Sequence, residues 1–308
     1  MLIFLTLLLK LLPLYAMVLL GYIAGRWLEV KKESIAPILI YIVAPVIVFS
    51  GVIATPINIS IISLPILFFI VACGMCLLFY GISGLIWEGA EKNILAFTAG
   101  AGNTGYFGLP VVLALFGQDQ LGTAVFVIFG IILYENSLGF FITARGQHTG
   151  REALAKVLRL PALYAFFLGL FVNLSHLSVS PVILDAMANF KGAYTVLGMM
   201  LVGLALSQIT KLSFDRKFTA MAFTAKFLVY PLVFIGVVLL DNNFFHLYSA
   251  LTHKVILLMS IVPLASNTVA YATRLNTHPE KAAVAVFLST LFALVYIPLF
   301  ITFIFPLL

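Results

Sequence analysis

Residues 99–110 read AGAGNTGYFGLP, and Gly100, Gly102 and Gly105 stand in the spacing G-x-G-x-x-G. In a soluble enzyme that spacing marks the phosphate-binding turn between a strand and a helix, followed about 20 residues later by an acid that holds a ribose. Asp119 falls near that distance, so spacing alone admits the match. The flanks exclude it. NILAFT precedes the stretch and PVVLALF follows its leucine, so the glycines lie within an apolar run of bilayer-spanning length, with a proline where a nucleotide-binding helix would continue. The glycines are better read as backbone exposed inside an interrupted membrane helix.

Composition supports that reading along the whole chain. Of 308 residues, 63% are hydrophobic and only 9% charged, which leaves too little polar surface to cover a water-soluble particle. Long, nearly charge-free segments recur, whereas barrel strands would alternate over about 10 residues. The pattern predicts an all-α integral membrane protein with ten spans, near 3–25, 34–54, 61–87, 92–116, 121–144, 160–176, 181–208, 216–240, 249–273 and 280–305. Lys10 interrupts the first segment and no basic stretch precedes it, so a spanning helix is expected there rather than a cleaved signal. The longest break between spans is too short to fold alone, and no soluble domain is expected.

The basic residues orient the spans. Arg26, Lys31, Lys32, Lys92, Arg145, Arg151, Lys156, Arg159, Lys211, Arg216, Lys217, Arg274 and Lys281 all fall in odd-numbered connections, leaving only Lys10, Lys191, Lys226 and Lys254 elsewhere. Short cytoplasmic loops collect Lys and Arg, so both termini are predicted outside a cell membrane. The net charge of +6 then describes topology rather than affinity for nucleic acid.

Five spans on either side of a basic linker give two halves of opposite entry: a first repeat over 1–145, a short cytoplasmic linker over 146–159 and an inverted repeat over 160–308. Span 4 carries Pro110 after the glycine-rich run, and span 9 carries Pro263 within SIVPLASNTVAY. Proline removes a helical hydrogen bond and clashes with the preceding turn. Gly108, Pro110 and Pro263 are therefore read as helix-break positions. Backbone freed in a bilayer must be buried in protein or line a cavity, and paired breaks in inverted halves point to a substrate site near the midplane.

Helical rise places four polar groups in that layer. Asn103 lies roughly 16 Å beyond Lys92, Asn267 roughly 10 Å before Arg274, and Glu135 and Lys226 each about 15 Å from the nearest charged end. An ionisable group at such depth is paired or functional. Asn103, Thr104, Gly105, Asn267 and Thr268 are the candidate substrate-binding residues, Glu135 the candidate proton carrier, and Lys226 a counter-charge to substrate or to Glu135.

GNTGYFGLPVVLALFG in span 4, APVIVFSGV in span 2, RLPALYAFFLGL in span 6, KFLVYP in span 8 and VPLASNTVAYATRLNTHPE in span 9 resemble the auxin efflux carrier family. That family includes bacterial organic-acid permeases and is distantly related to the bile acid:sodium symporters. The resemblance implies broken crossover helices 4 and 9, a scaffold from spans 1, 2, 6 and 7, and a transport domain from spans 3–5 and 8–10. It further implies elevator-type movement and a homodimer through the scaffold. It puts Asn103, seven residues before the span 4 proline, at the substrate carboxylate. Two departures stand out. The connection after span 5 is short, unlike the long loop of the plant exporters, and IAPILIYIVAPVIVFSGVI in span 2 has no acid, which directs attention to Glu135.

Other motifs carry less. Cys73-x-x-Cys76 lies inside an apolar span without the context of a redox or zinc site. Asn58-Ile-Ser60 and Asn173-Leu-Ser175 match short glycosylation triplets. Gly21 and Gly25 suit close helix packing. The five histidines sit near span ends, and no metal or cofactor is expected. The reading is a secondary transporter, not an enzyme, moving a small mono- or dicarboxylate with proton coupling. Sodium-coupled symport is the alternative, and a channel or receptor is less favoured.

Overall fold

The computed structural model describes residues 2–144, 158–208, 214–274 and 277–307. Arg145, His148, Arg151, Lys156 and Lys211, together with most of the expected linker, lie outside the described residues. Every named element among the described residues is helical, and the one β-type contact is an isolated antiparallel bridge between Gly102 and Leu264.

Seven helices are long and apolar enough to cross a membrane. They are α1 (Leu2–Trp27), α2 (Lys32–Ala54), α3 (Ile59–Gly84), α6 (Gln118–Thr143), α8 (Pro181–Ser207), α9 (Arg216–Phe245) and α12 (Pro279–Leu307). The others are shorter: α4 (Ala90–Gly100), α5 (Thr104–Phe116), α7 (Pro161–Leu174), α10 (Ala250–Ser260) and α11 (Asn267–Arg274). Expected spans 4 and 9 are thus each cut in two, into α4 and α5 and into α10 and α11.

Packing sorts the helices by contact. α1 runs against α8, α2 against α7, and α3 against both α4 and α6. Between α1 and α8 the backbones meet directly. A side chain at Gly21 would strike the Met200 backbone, one at Gly25 the Ser207 hydroxyl, and one at Gly203 the Val18 carbonyl. Lipid offers no hydrophobic drive for helices to associate, so close van der Waals contact through small residues is what holds such a pair. Between α6 and α7, Phe129 stacks on Phe166 with ring centroids 4.0 Å apart.

The break in span 4 is not at its proline. Helical geometry stops after Gly100, resumes at Thr104 as a π turn over Thr104–Gly108, and continues as α-helix from Leu109 with Pro110 in its first turn. Proline clashes with the carbonyl four residues back. The wider π turn relieves this by shifting register, so that the Gly108 N–H donates to the Asn103 carbonyl five residues earlier at 2.8 Å. Gly108 and Pro110 therefore belong to a widened helix start. The same device precedes Pro45, with a π turn over Leu39–Val43, and Pro231, with one over Thr224–Val229. Pro263 does lie in the interruption between α10 and α11.

Candidate functional site

The two interruptions lie against each other, and each answers the backbone need of the other. The Asn103 N–H donates to the Pro263 carbonyl at 2.9 Å, beside the bridge between Gly102 and Leu264. The Leu264 N–H donates to the Ser289 hydroxyl of α12 at 3.1 Å. Unpaired backbone polar groups cost several kcal/mol where water is excluded, so this mutual pairing lets both helices stop inside the protein. Glycine makes the approach possible on the α4 side. A Cβ at Gly100 would collide with the Ala72 carbonyl, and one at Gly102 would lie 2.5 Å from Lys226 Nζ.

Beside the paired interruptions is a cavity of about 310 Å³. Asn103, Thr104, Gly105 and Asn267 line it, and Glu135 reaches it from α6. Asn267 donates through Nδ2 to Glu135 Oε2 at 2.8 Å. Glu135 is 5% exposed and Asn103 4%. The Asn103 amide nitrogen has no hydrogen-bond partner among the described residues. Aliphatic side chains, among them Ile128 and Ile132 of α6, complete the wall, and among the described residues no lysine, arginine or histidine lines it.

The structure divides the other expected site residues. Thr268 is fully buried, is not part of the lining, and has a hydroxyl without a partner among the described residues. Pro263 contributes only its carbonyl to Asn103, and neither Gly108 nor Pro110 reaches the cavity. Lys226 is 0% exposed and makes no ion pair with Glu135. Its ammonium sits over the Tyr230 ring at 4.1 Å, on the far side of Gly102 from the cavity, with no hydrogen-bond partner among the described residues. Of the two expected roles, counter-charge to substrate or to Glu135, no pairing with Glu135 occurs among the described residues. Lys226 makes a cation–π contact with Tyr230 and is not among the residues lining the cavity.

Sequence reasoning missed three tyrosines and one asparagine. Tyr106, Tyr194, Tyr271 and Asn136 all line the cavity. The Tyr106 and Tyr194 rings are 6.5 Å apart, and Tyr271 donates to the Asn136 side chain at 3.3 Å. Tyr106 and Asn136 adjoin residues that were singled out, so their placement was within reach. Nothing in the sequence around Tyr194, which runs NFKGAYT over 189–195, marks it as part of a cavity.

The remaining motifs have structural roles. Asn58 caps α3 by accepting from the Ile61 N–H at 3.0 Å. Asn173 donates to the Val52, Ile53 and Thr55 carbonyls at the end of α2. Cys73 and Cys76 are free thiols, and no group of three potential metal ligands occurs among the described residues.

Comparison with known proteins places this geometry among transporters. A family model described as membrane transport protein matches residues 6–150 and 148–301. An uncharacterized transporter of Methanocaldococcus jannaschii is 26% identical over 295 residues, covering 92% of this chain and 94% of that protein. An uncharacterized transporter of Methanothermobacter thermautotrophicus is 26% identical over 208 residues, covering 67% and 66%.

Proposed function

Because the chain belongs to the membrane transport protein family, that of the auxin efflux carriers, and is a transporter rather than an enzyme, we propose that it carries a small organic anion by coupled alternating access. The observation that carries this reading is the cavity beside the two interruptions, lined both by Asn103, whose buried amide nitrogen has no hydrogen-bond partner among the described residues, and by the Asn267–Glu135 pair.

A carboxylate entering that space is received by neutral donors. Asn103 Nδ2 is the first of them, with the Thr104 hydroxyl and the backbone of Gly105 beside it. Positive potential comes from behind the wall, since the glycine at 102 leaves only backbone between Lys226 and the cavity. Two anionic carboxylates within one enclosed space repel strongly at low effective dielectric. Substrate anion and proton therefore travel together, with Glu135 carrying the proton and Asn267 holding the acid in place.

In the full arrangement, ten spans form two inverted five-helix repeats, expected spans 4 and 9 cross at their interruptions, and both termini face outside. α1, α2, α7 and α8 form a scaffold through which two copies associate, and the remaining helices move past it as an elevator. The direct pairing of α1 with α8 and α2 with α7 supports this grouping. Sodium coupling is the second reading, favoured by a cavity whose one carboxyl side chain among the described residues stands beside unwound backbone.

Proteoliposome uptake with a panel of labelled mono- and dicarboxylates, under separately imposed proton and sodium gradients, tests both readings. Proton-driven, saturable uptake is expected. Glu135→Gln should lose gradient-driven uptake and keep exchange, and full proton-driven uptake in that variant would end the coupling assignment. Uptake driven by sodium alone would select the second reading, and flux at channel rates would overturn both.

A further inference from the structure

A second cavity of about 580 Å³ lies at the end of the bundle where α2 and α7 finish and α8 begins. It shares no residue with the cavity at Asn103. Its walls are largely apolar, as at Ile53 and Leu184, yet Lys191, His176 and Ser50 also line it and among the described residues no acidic side chain does.

Lys191 is the informative residue. It stands 10 residues into α8, roughly 15 Å from the helix start, and is half-buried with no ion pair or hydrogen bond among the described residues. The one acid on α8, Asp185, lies six residues away on a different face of the helix and is exposed. A lysine at such depth inside a span is ordinarily paired or drawn toward a polar interface. Ser50 adds an independent sign. It lines the cavity, is 8% exposed, and its buried hydroxyl has no hydrogen-bond partner among the described residues. The wall between them is fixed, because the Asn173 amide ties the last turn of α7 to three carbonyls at the end of α2.

We infer that this cavity binds an anionic phospholipid of the leaflet at that end, with its phosphate between Lys191 and His176, and Ser50 donating to a headgroup or ester oxygen. A lipid rather than a dissolved anion fits the apolar walls. It also fits the neighbouring faces of α7 and α8, where Phe167, Phe171 and Val182 are exposed as lipid-facing residues are. The acyl chain leaves along those faces, and the cation that α8 carries into the bilayer gains the partner that the protein does not supply.

Thermal unfolding of the full chain in neutral detergent tests the assignment. Phosphatidylglycerol should raise the midpoint saturably, while phosphatidylcholine and inorganic phosphate should not. Lys191→Gln should weaken the phosphatidylglycerol effect about tenfold, the loss of one charge-assisted contact. Lys191→Arg should retain it and guards against a glutamine variant that folds poorly. Lys254→Gln, a lysine on α10 away from the cavity, should leave it unchanged. An undiminished response in Lys191→Gln, or an equal response to inorganic phosphate, would overturn the proposal.

Discussion

The interruption at residues 101–103 and the one at 261–266 share a backbone solution and differ in what their asparagines do. Both are followed by the pair Asn-Thr, at 103–104 and at 267–268. At the first, Asn103 is buried with its amide nitrogen unpartnered, glycines line the approach, and an ammonium stands behind the wall. At the second, Asn267 already holds Glu135, and Ser289 supports the backbone. One dipeptide thus serves two tasks. The first interruption leaves an amide nitrogen without a partner among the described residues, which the proposed function assigns to a ligand, and the second uses its amide to hold an acid in place.

The largest effect should come from the glycines, which only the first interruption requires. Gly100→Val would drive a side chain into the Ala72 carbonyl and the Tyr134 ring. Overpacking of this kind costs about 3 kcal/mol where neither neighbour can withdraw, so a large drop in the detergent unfolding midpoint is expected. A midpoint within a degree of the parent would show that α4 and α3 are not so closely apposed.

The two asparagines should then separate. Asn267→Ala strips a buried carboxylate of its side-chain donor, a loss of about 1–3 kcal/mol, and should lower the unfolding midpoint even without substrate. Asn103→Ala removes an amide whose nitrogen has no partner among the described residues, so the midpoint should move less, while substrate-induced stabilisation disappears. Equal midpoints for the two variants would erase the distinction drawn between the interruptions, and substrate stabilisation surviving in Asn103→Ala would remove it from the site.

Much of this was legible in the sequence because bilayer physics is restrictive. Apolar runs must be helices, deep polar residues must be buried, and Pro263 did mark an interruption. Pro110 misled, since a proline signals only a missing donor and a clash, and a π turn can absorb both without ending the helix. Glu135 and Asn267 could be placed at a common depth from helical rise, but depth has no azimuth. That is why Lys226, at a similar level, meets the Tyr230 ring and does not pair with Glu135 among the described residues. Tyr194 was invisible for the same reason: which face of α8 meets the cavity depends on its packing against α1 and α5, which no local pattern encodes.

The comparison extends to how each half-helix is anchored at its start, where the smallest effect is expected. α10 begins at a buried clasp: Asp241 accepts from the Leu247 and Tyr248 N–H groups at 2.9 and 3.0 Å and pairs with His253 at 2.8 Å. α4 begins at a more exposed one, where Glu91 meets His278 at 3.0 Å and Lys281 at 3.5 Å, and Lys281 reaches Asp215 at 2.9 Å. Partial burial alone would push the Asp215 carboxyl up. The hydrogen bond from Lys281 and those from the Phe218 and Lys217 N–H groups outweigh it and hold the carboxyl below its usual range. A carboxylate depressed in the folded state contributes stability that is full above the ordinary carboxylate range and is lost as pH falls through its own lower value. The unfolding midpoint should therefore fall on acidification below about pH 4, and Asp215→Asn should flatten that part of the profile while barely changing the midpoint at neutral pH, as partly exposed pairs contribute little. An acid slope unchanged in Asp215→Asn would mean that the α4 clasp is held by packing, and the contrast with the buried clasp at α10 would then rest on burial alone.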